Sequence, residues 1–166
     1  MALLKVITVE NPNLRRKAVR VPKVDDAIRT LMDDMVETMH RHHGVGLAAT
    51  QVDVHLRVIV MDVDDTIYQV ANPEMVKSSG EQIGYEGCLS VPGYVGEVAR
   101  ANRVVAKGLD RNGREIRIKG DDLLARCIQH EIDHLDGVLF TDRLVPGTQL
   151  MELSPEELED SADVYA

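Results

Sequence analysis

Residues 129–137 read Gln-His-Glu-Ile-Asp-His-Leu-Asp-Gly. On a helix, His130 and His134 lie about one turn apart on the same face, so both imidazoles can reach one metal ion. Glu131 follows the first histidine, where its carboxylate can meet water on that ion and act as a general base. An H-E-x-x-H motif fixes only three positions, and two ordinary histidines at a helix end satisfy it equally. The rest of the chain must supply a third ligand and a reason for chemistry.

Catalytic sites of this type use three protein ligands and keep one position open. Peptidases with the motif usually draw the third ligand from a downstream His or Glu. No histidine follows His134, and the downstream glutamates fall in an acidic tail. Cys88, within Glu86-Gly87-Cys88-Leu89-Ser90, is the best remaining candidate, and a free thiol is the alternative for it alone. A thiolate is soft and negative, so a Cys88/His130/His134 set also suits ferrous iron. The setting of Cys88, between Gly87 and a loop bounded by Pro92, predicts an accessible rather than a packed sulfur.

The motif must ride on a helix. Asp121 or Asp122 can cap its start, Leu123, Leu124, Cys127, Ile128 and Leu135 give it an apolar face, and Gly137 closes it. A second, N-terminal amphipathic helix is predicted from about Asp25 to His43 by Ile28, Leu31, Met32, Met35, Val36 and Met39. Its methionines read as core, and His40, His42 and His43 at its end as solvated. Gly44-Val45-Gly46-Leu47-Ala48-Ala49-Thr50-Gln51 follows, where small residues let another backbone come close; a plain tight turn is the other reading.

The remaining elements are strands. Residues 1–9 predict an edge strand or packed arm, and 13–24 an irregular basic stretch. Residues 56–63 predict a strand, and Tyr68–Ala71 a second one stopped by Asn72-Pro73. Residues 74–84 and 97–109 follow as weaker β-rich runs. Asn112-Gly113 predicts a type I′ hairpin into 115–119, with Ile116 and Ile118 inward. Residues 138–145 predict a short strand or extended segment, and Ser154-Pro155 a brief helix. With no repeat and no linker, residues 1–166 read as one catalytic domain, and 154–166 as a short acidic tail expected to fray.

Composition excludes several classes. Apolar residues are 44% of 166, too many for a disordered chain. With one Phe, four Tyr and no Trp, the core must come from aliphatic residues and Met. A net charge of −9 argues against a dedicated nucleic-acid binder. No apolar run matches a bilayer and no cleavable leader or transit peptide is visible, so a cytoplasmic protein is expected. Charge is uneven: residues 1–30 hold seven Lys/Arg against three acids, and after Arg143 there are six acids and no Lys or Arg.

Three stretches in order, Gly44 to Gln51, Glu86 to Ser90 and Gln129 to Gly137, resemble the G-x-G-L-A-A-x-Q, E-G-C-L-S and Q-H-E-x-D-H-L-x-G motifs of peptide deformylases. The likeness covers roughly residues 1–145. It implies an α+β fold, with antiparallel β-sheets around a central helix carrying H-E-x-x-H. It implies ferrous iron at Cys88, His130 and His134, with zinc, nickel or cobalt able to substitute. The implied reaction releases formate from the N-formylmethionine of nascent polypeptides. Hydroxide on the ion attacks the formyl carbon, and Glu131 takes a proton and returns it to the leaving nitrogen. The family assigns oxyanion donors to the Gln51 side chain and the Leu89 N–H. Gly46, with no side chain, leaves room for the substrate backbone. Val45, Leu124 and Cys127 are implied around the methionine side chain, with core packing an equal reading for the last two. Glu86 and Gly87 border the substrate side, and Glu86 and Asp133 also read as orienting groups.

The chain departs from the family in two places. Some members carry a basic C-terminal helix that resembles a ribosome anchor, whereas this tail is acidic. Any transient ribosome contact therefore falls to the basic N-terminal third. Some members also place an arginine after the second motif, and here none occurs before Arg100. The competing readings are a metallopeptidase, which lacks its downstream ligand, and a metal-stapled binding module, which lacks a fourth one.

Overall fold

The computed structural model describes residues 2–160. Two antiparallel sheets and two main helices make the fold, a mixed α/β arrangement. The larger sheet joins β1 (Gly46–Ala48), β2 (Val58–Val63), β3 (Thr66–Ser79), β6 (Arg103–Leu109) and β7 (Glu115–Asp121), in the order β1-β2-β3-β6-β7. The smaller joins β4 (Gln82–Cys88), β5 (Val91–Arg100) and β8 (Met151–Glu152).

The run Val58-Ile59-Val60-Met61 is apolar throughout because β2 is covered on both faces. Ile59 and Met61 meet Ile128 and Leu135 of α2 (Asp122–Leu135), while Val58 and Val60 meet Met32, Met35 and Met39 of α1 (Asp26–Arg41). Those three methionines are fully buried, as the spacing of the helix requires. Asp25 caps α1, accepting from the Ile28 N–H at 3.0 Å. Asp121 precedes α2 but makes no side-chain capping bond. Residues 2–9 form a packed arm rather than a strand, with Ile7 N–H donating to the Gln51 carbonyl and Val9 N–H to that of Ser90.

Three expectations are corrected. Asn72-Pro73 does not stop β3. Asn72 takes a left-handed conformation (φ 52°), its amide exchanges hydrogen bonds with both backbone groups of Val21, and pairing to β6 resumes at Glu74 after a register shift. The hairpin at Asn112-Gly113 is not type I′, because only Gly113 has positive φ. Asp110 sets a longer loop by accepting from the N–H groups of Asn112 and Arg114. Residues Phe140–Arg143 form a 3₁₀ turn instead of an extended segment, with the Asp142 carboxylate accepting from Leu139 N–H. Of the acidic tail, α3 spans Pro155–Asp160, started by reciprocal Ser154–Glu157 bonds, and residues 161–166 lie outside the described residues. Among the described residues no helix is long and apolar enough to cross a membrane.

Candidate metal centre

Helical spacing puts His130 and His134 on one face of α2, with their Nε2 atoms 3.2 Å apart. The end of β4 brings Cys88 Sγ to 3.2 Å from His134 Nε2, and the three donor atoms all lie within 4.8 Å of one another. Cys88 is fully buried, which corrects the accessible sulfur expected from its loop-like neighbours. The 88–91 corner folds inward, and Cys88 packs with Val91, Val98 and Phe140.

The His130 ring is fixed from behind. Its Nδ1 lies 2.7 Å from Glu86 Oε1, so Nδ1–H donates to the carboxylate and Nε2 keeps its lone pair. Glu86 is buried and satisfied four times. It accepts from Arg100 Nε at 2.8 Å and Nη2 at 2.9 Å, and from Arg126 Nη1 at 2.5 Å, besides His130. Burial alone would raise its pKa, but Arg100 and His130 hold it well below the usual carboxylate range. Arg100 continues outward to Asp133 at 2.6 Å, which also accepts from Arg143.

Burial holds His134 well below the ordinary histidine value, so it is neutral with a free lone pair. For His130, burial is outweighed by Cys88 and Glu86, which raise it. A proton and a cation compete for the same nitrogen. Both Glu131 oxygens and His134 Nδ1 are buried with no hydrogen-bond partner among the described residues. Burial pushes the Glu131 carboxyl up to about 7. Three converging donors beside a carboxylate without a partner fit a divalent ion. Sulfur and imidazole suit ferrous iron or zinc and exclude a magnesium- or calcium-type oxygen cage.

The surrounding residues shape the opening. Gln51, fully buried, has Oε1 accepting from Ala48 N–H at 3.0 Å, which turns Nε2 toward Cys88 Sγ at 3.5 Å and Ser90 Oγ at 3.2 Å. Leu89 sits against the Gly44 turn. At Gly46 a Cβ would stand 2.5 Å from Glu131 Oε2 and 2.8 Å from Cys127 Sγ, so β1 and α2 meet only because that position is glycine. Val45 and Leu124 are partly buried, and Cys127 is buried, against the core between α2 and the large sheet. Gly87 is buried on β4 at the bulge that turns Cys88. Sequence reasoning missed Arg100 and Arg126 as the partners of Glu86, and Ser90 as that of Gln51. The only available signal for Arg126 was its place one helical turn before His130.

The family model described as polypeptide deformylase matches residues 3–149. A curated relative, the peptide deformylase of Dehalococcoides mccartyi, is 48% identical over 95% of each chain. Among solved structures, a peptide deformylase from Legionella pneumophila superposes with a TM-score of 0.84 at 45% identity, over 87% of this chain and 88% of that one. One from Ehrlichia chaffeensis in complex with actinonin gives 0.85 at 44% identity, over 88% and 91%.

Proposed function

The chain belongs to the polypeptide deformylase family of hydrolases, and we propose that it hydrolyses the formyl group from N-formylmethionyl ends of nascent polypeptides in the cytoplasm, releasing formate. The observation that carries the reading is a buried thiol and two imidazole nitrogens converging beside a carboxylate whose oxygens have no partner.

Cys88, His130 and His134 would hold one ion, ferrous iron by their chemistry, with zinc, nickel or cobalt as substitutes. When bound, the ion polarises the formyl carbonyl and makes water acidic enough to attack near neutral pH. Glu131 takes the proton of the attacking water and hands it to the methionine nitrogen as the amide breaks. Its elevated pKa suits both transfers, and a nearby cation would draw that value down. The Gln51 Nε2, oriented through its own carbonyl, and the Leu89 N–H donate to the oxyanion that develops. Glu86, braced by two arginines, holds His130 in the tautomer that ligates. Glu131 Oε2 and Cys127 Sγ fill the space that a side chain at Gly46 would take, so Gly46 acts by holding β1 against Glu131 rather than by leaving room for the substrate. Val45, Leu124 and Cys127 border the methionine side chain, and the Glu86-Gly87 segment of β4 borders the substrate.

The test is formate release from a short formylmethionyl peptide by the metal-loaded protein and by Glu131→Gln. Release by the wild type and a large loss of kcat in the variant, with metal content preserved, support the reading. Equal turnover by both would overturn it.

A further inference from the structure

We propose that residues 13–24 form a docking strap for the phosphate backbone of RNA, with Arg16, Lys17, Arg20 and Lys23 as its contacts. The segment holds five cations and no acid in a chain whose net charge is −9. It is also held rigidly. Leu14, Ala18, Val21 and Val24 are buried anchors. Ala18 N–H donates to the Leu135 carbonyl, Val19 exchanges backbone bonds with His55 and Arg57, and Val21 is clamped by Asn72. Between these anchors the four cations face solvent.

Their charge is not neutralised locally. Among the described residues none of the four makes a hydrogen bond or close ion pair through its side chain, whereas Arg15 pairs with Asp142. The neighbouring acids are engaged elsewhere: Asp25 caps α1, Asp26 pairs with Arg29, and Asp136 pairs with Arg57. At ~3.3 Å per extended residue, Arg16 to Lys23 reaches at most ~23 Å, the length of several phosphates on one strand. A strap already fixed in place loses little conformational freedom on binding. A lipid surface fits less well, because the apolar side chains of Leu14, Ala18, Val21 and Val24 are buried in the fold and only Val19, 62% exposed, and Pro22 lie exposed beside the charges. The inference rests on the proposed function for its purpose: a nascent substrate is delivered by an RNA-rich particle, and a local basic strip gives an acidic enzyme a way to approach it.

The experiment titrates the metal-loaded full chain against an RNA hairpin, with phosphatidylserine vesicles as a second probe. Four phosphate contacts should weaken RNA binding by about 50–150-fold between ~50 and ~200 mM salt. The variant carrying Arg16→Gln, Lys17→Gln, Arg20→Gln and Lys23→Gln should bind at least about tenfold more weakly at the lower salt. It should release formate from a short formylmethionyl peptide at the wild-type rate. Should that variant fail to fold, Lys17→Gln with Lys23→Gln should flatten the salt slope by about 2. Arg117→Gln with Lys119→Gln, on β7, should leave RNA affinity unchanged. RNA binding that ignores the strap substitutions, or vesicle binding without RNA binding, would overturn the proposal. Strap-dependent RNA binding in a protein that releases no formate would instead overturn the proposed reaction and leave the strap standing.

Discussion

Gly46→Ala tests whether the contact between β1 and α2 sets the position of Glu131. The added methyl would lie 2.5 Å from Glu131 Oε2, 3.0 Å from Glu131 Cδ and 2.8 Å from Cys127 Sγ. The tip of an exposed glutamate could swing away. Glu131 is fully buried, and Cys127 nearly so, so neither has free space to enter. Overpacking of this kind costs about 1–3 kcal/mol. In a chain of this size that lowers Tm by roughly 2–12 °C. A shift of about 1 Å in a catalytic group costs on the order of 10²-fold in rate. Thermal unfolding of the metal-loaded variant and its kcat for formate release measure the two effects separately. Adding Cys127→Ala removes one of the two clashes, so it should restore part of the stability and little of the rate. A Gly46→Ala enzyme with wild-type Tm and kcat would refute the reasoning, since the strand would then have room that the geometry denies.

Gln51→Ala removes a proposed oxyanion donor and should lower kcat by about 10²–10³-fold with metal content unchanged. Arg100→Met strands Glu86 in the interior with one cation fewer. Breaking a buried pair of this kind costs about 3–5 kcal/mol, to be read from urea unfolding. Arg15 holds the Asp142 carboxyl below the usual carboxylate range, so this pair stabilises the fold above about pH 4 and loses its effect as pH falls through the depressed value. In Arg15→Ala the Asp142 midpoint, followed by carboxyl NMR, should therefore rise, and the stability deficit of the variant should vanish in acid. Chelation should abolish formate release and lower Tm together. The iron-loaded form should lose activity on prolonged aeration through oxidation at the thiolate and keep it when oxygen is excluded.

What the sequence made legible was local. The spacing of His130 and His134, the periodicity of α1 and the run in β2 each depend on neighbours a few residues away, where helix and strand geometry impose a pattern. The pairing of Glu86 with Arg100 and Arg126 depends on β4, β5 and α2 meeting in space, and no local pattern encodes that. The passage of β3 through Asn72-Pro73 was hidden for a similar reason. A residue that stops an isolated strand is tolerated here because Val21, from the basic strap, meets both ends of the Asn72 amide. Cys88 misled in the opposite direction. Glycines and a proline around it resemble an exposed loop, yet Phe140 and Val98 arrive from elsewhere to cover the sulfur.

The N-terminal arm bears on the order in which the molecule is made. Its hydrogen bonds reach forward from Ile7 to residue 51 and from Val9 to residue 90, and the strap that follows it reaches from Ala18 to residue 135. Long loops must close before such contacts give any return, so the first residues synthesised are among the last to settle. Both imidazoles also arrive late, and the donors cannot gather until nearly the whole chain has left the ribosome. Until α2 has packed against the end of β4, a growing chain holds Cys88 without its two imidazole partners, so metal uptake follows folding rather than nucleating it.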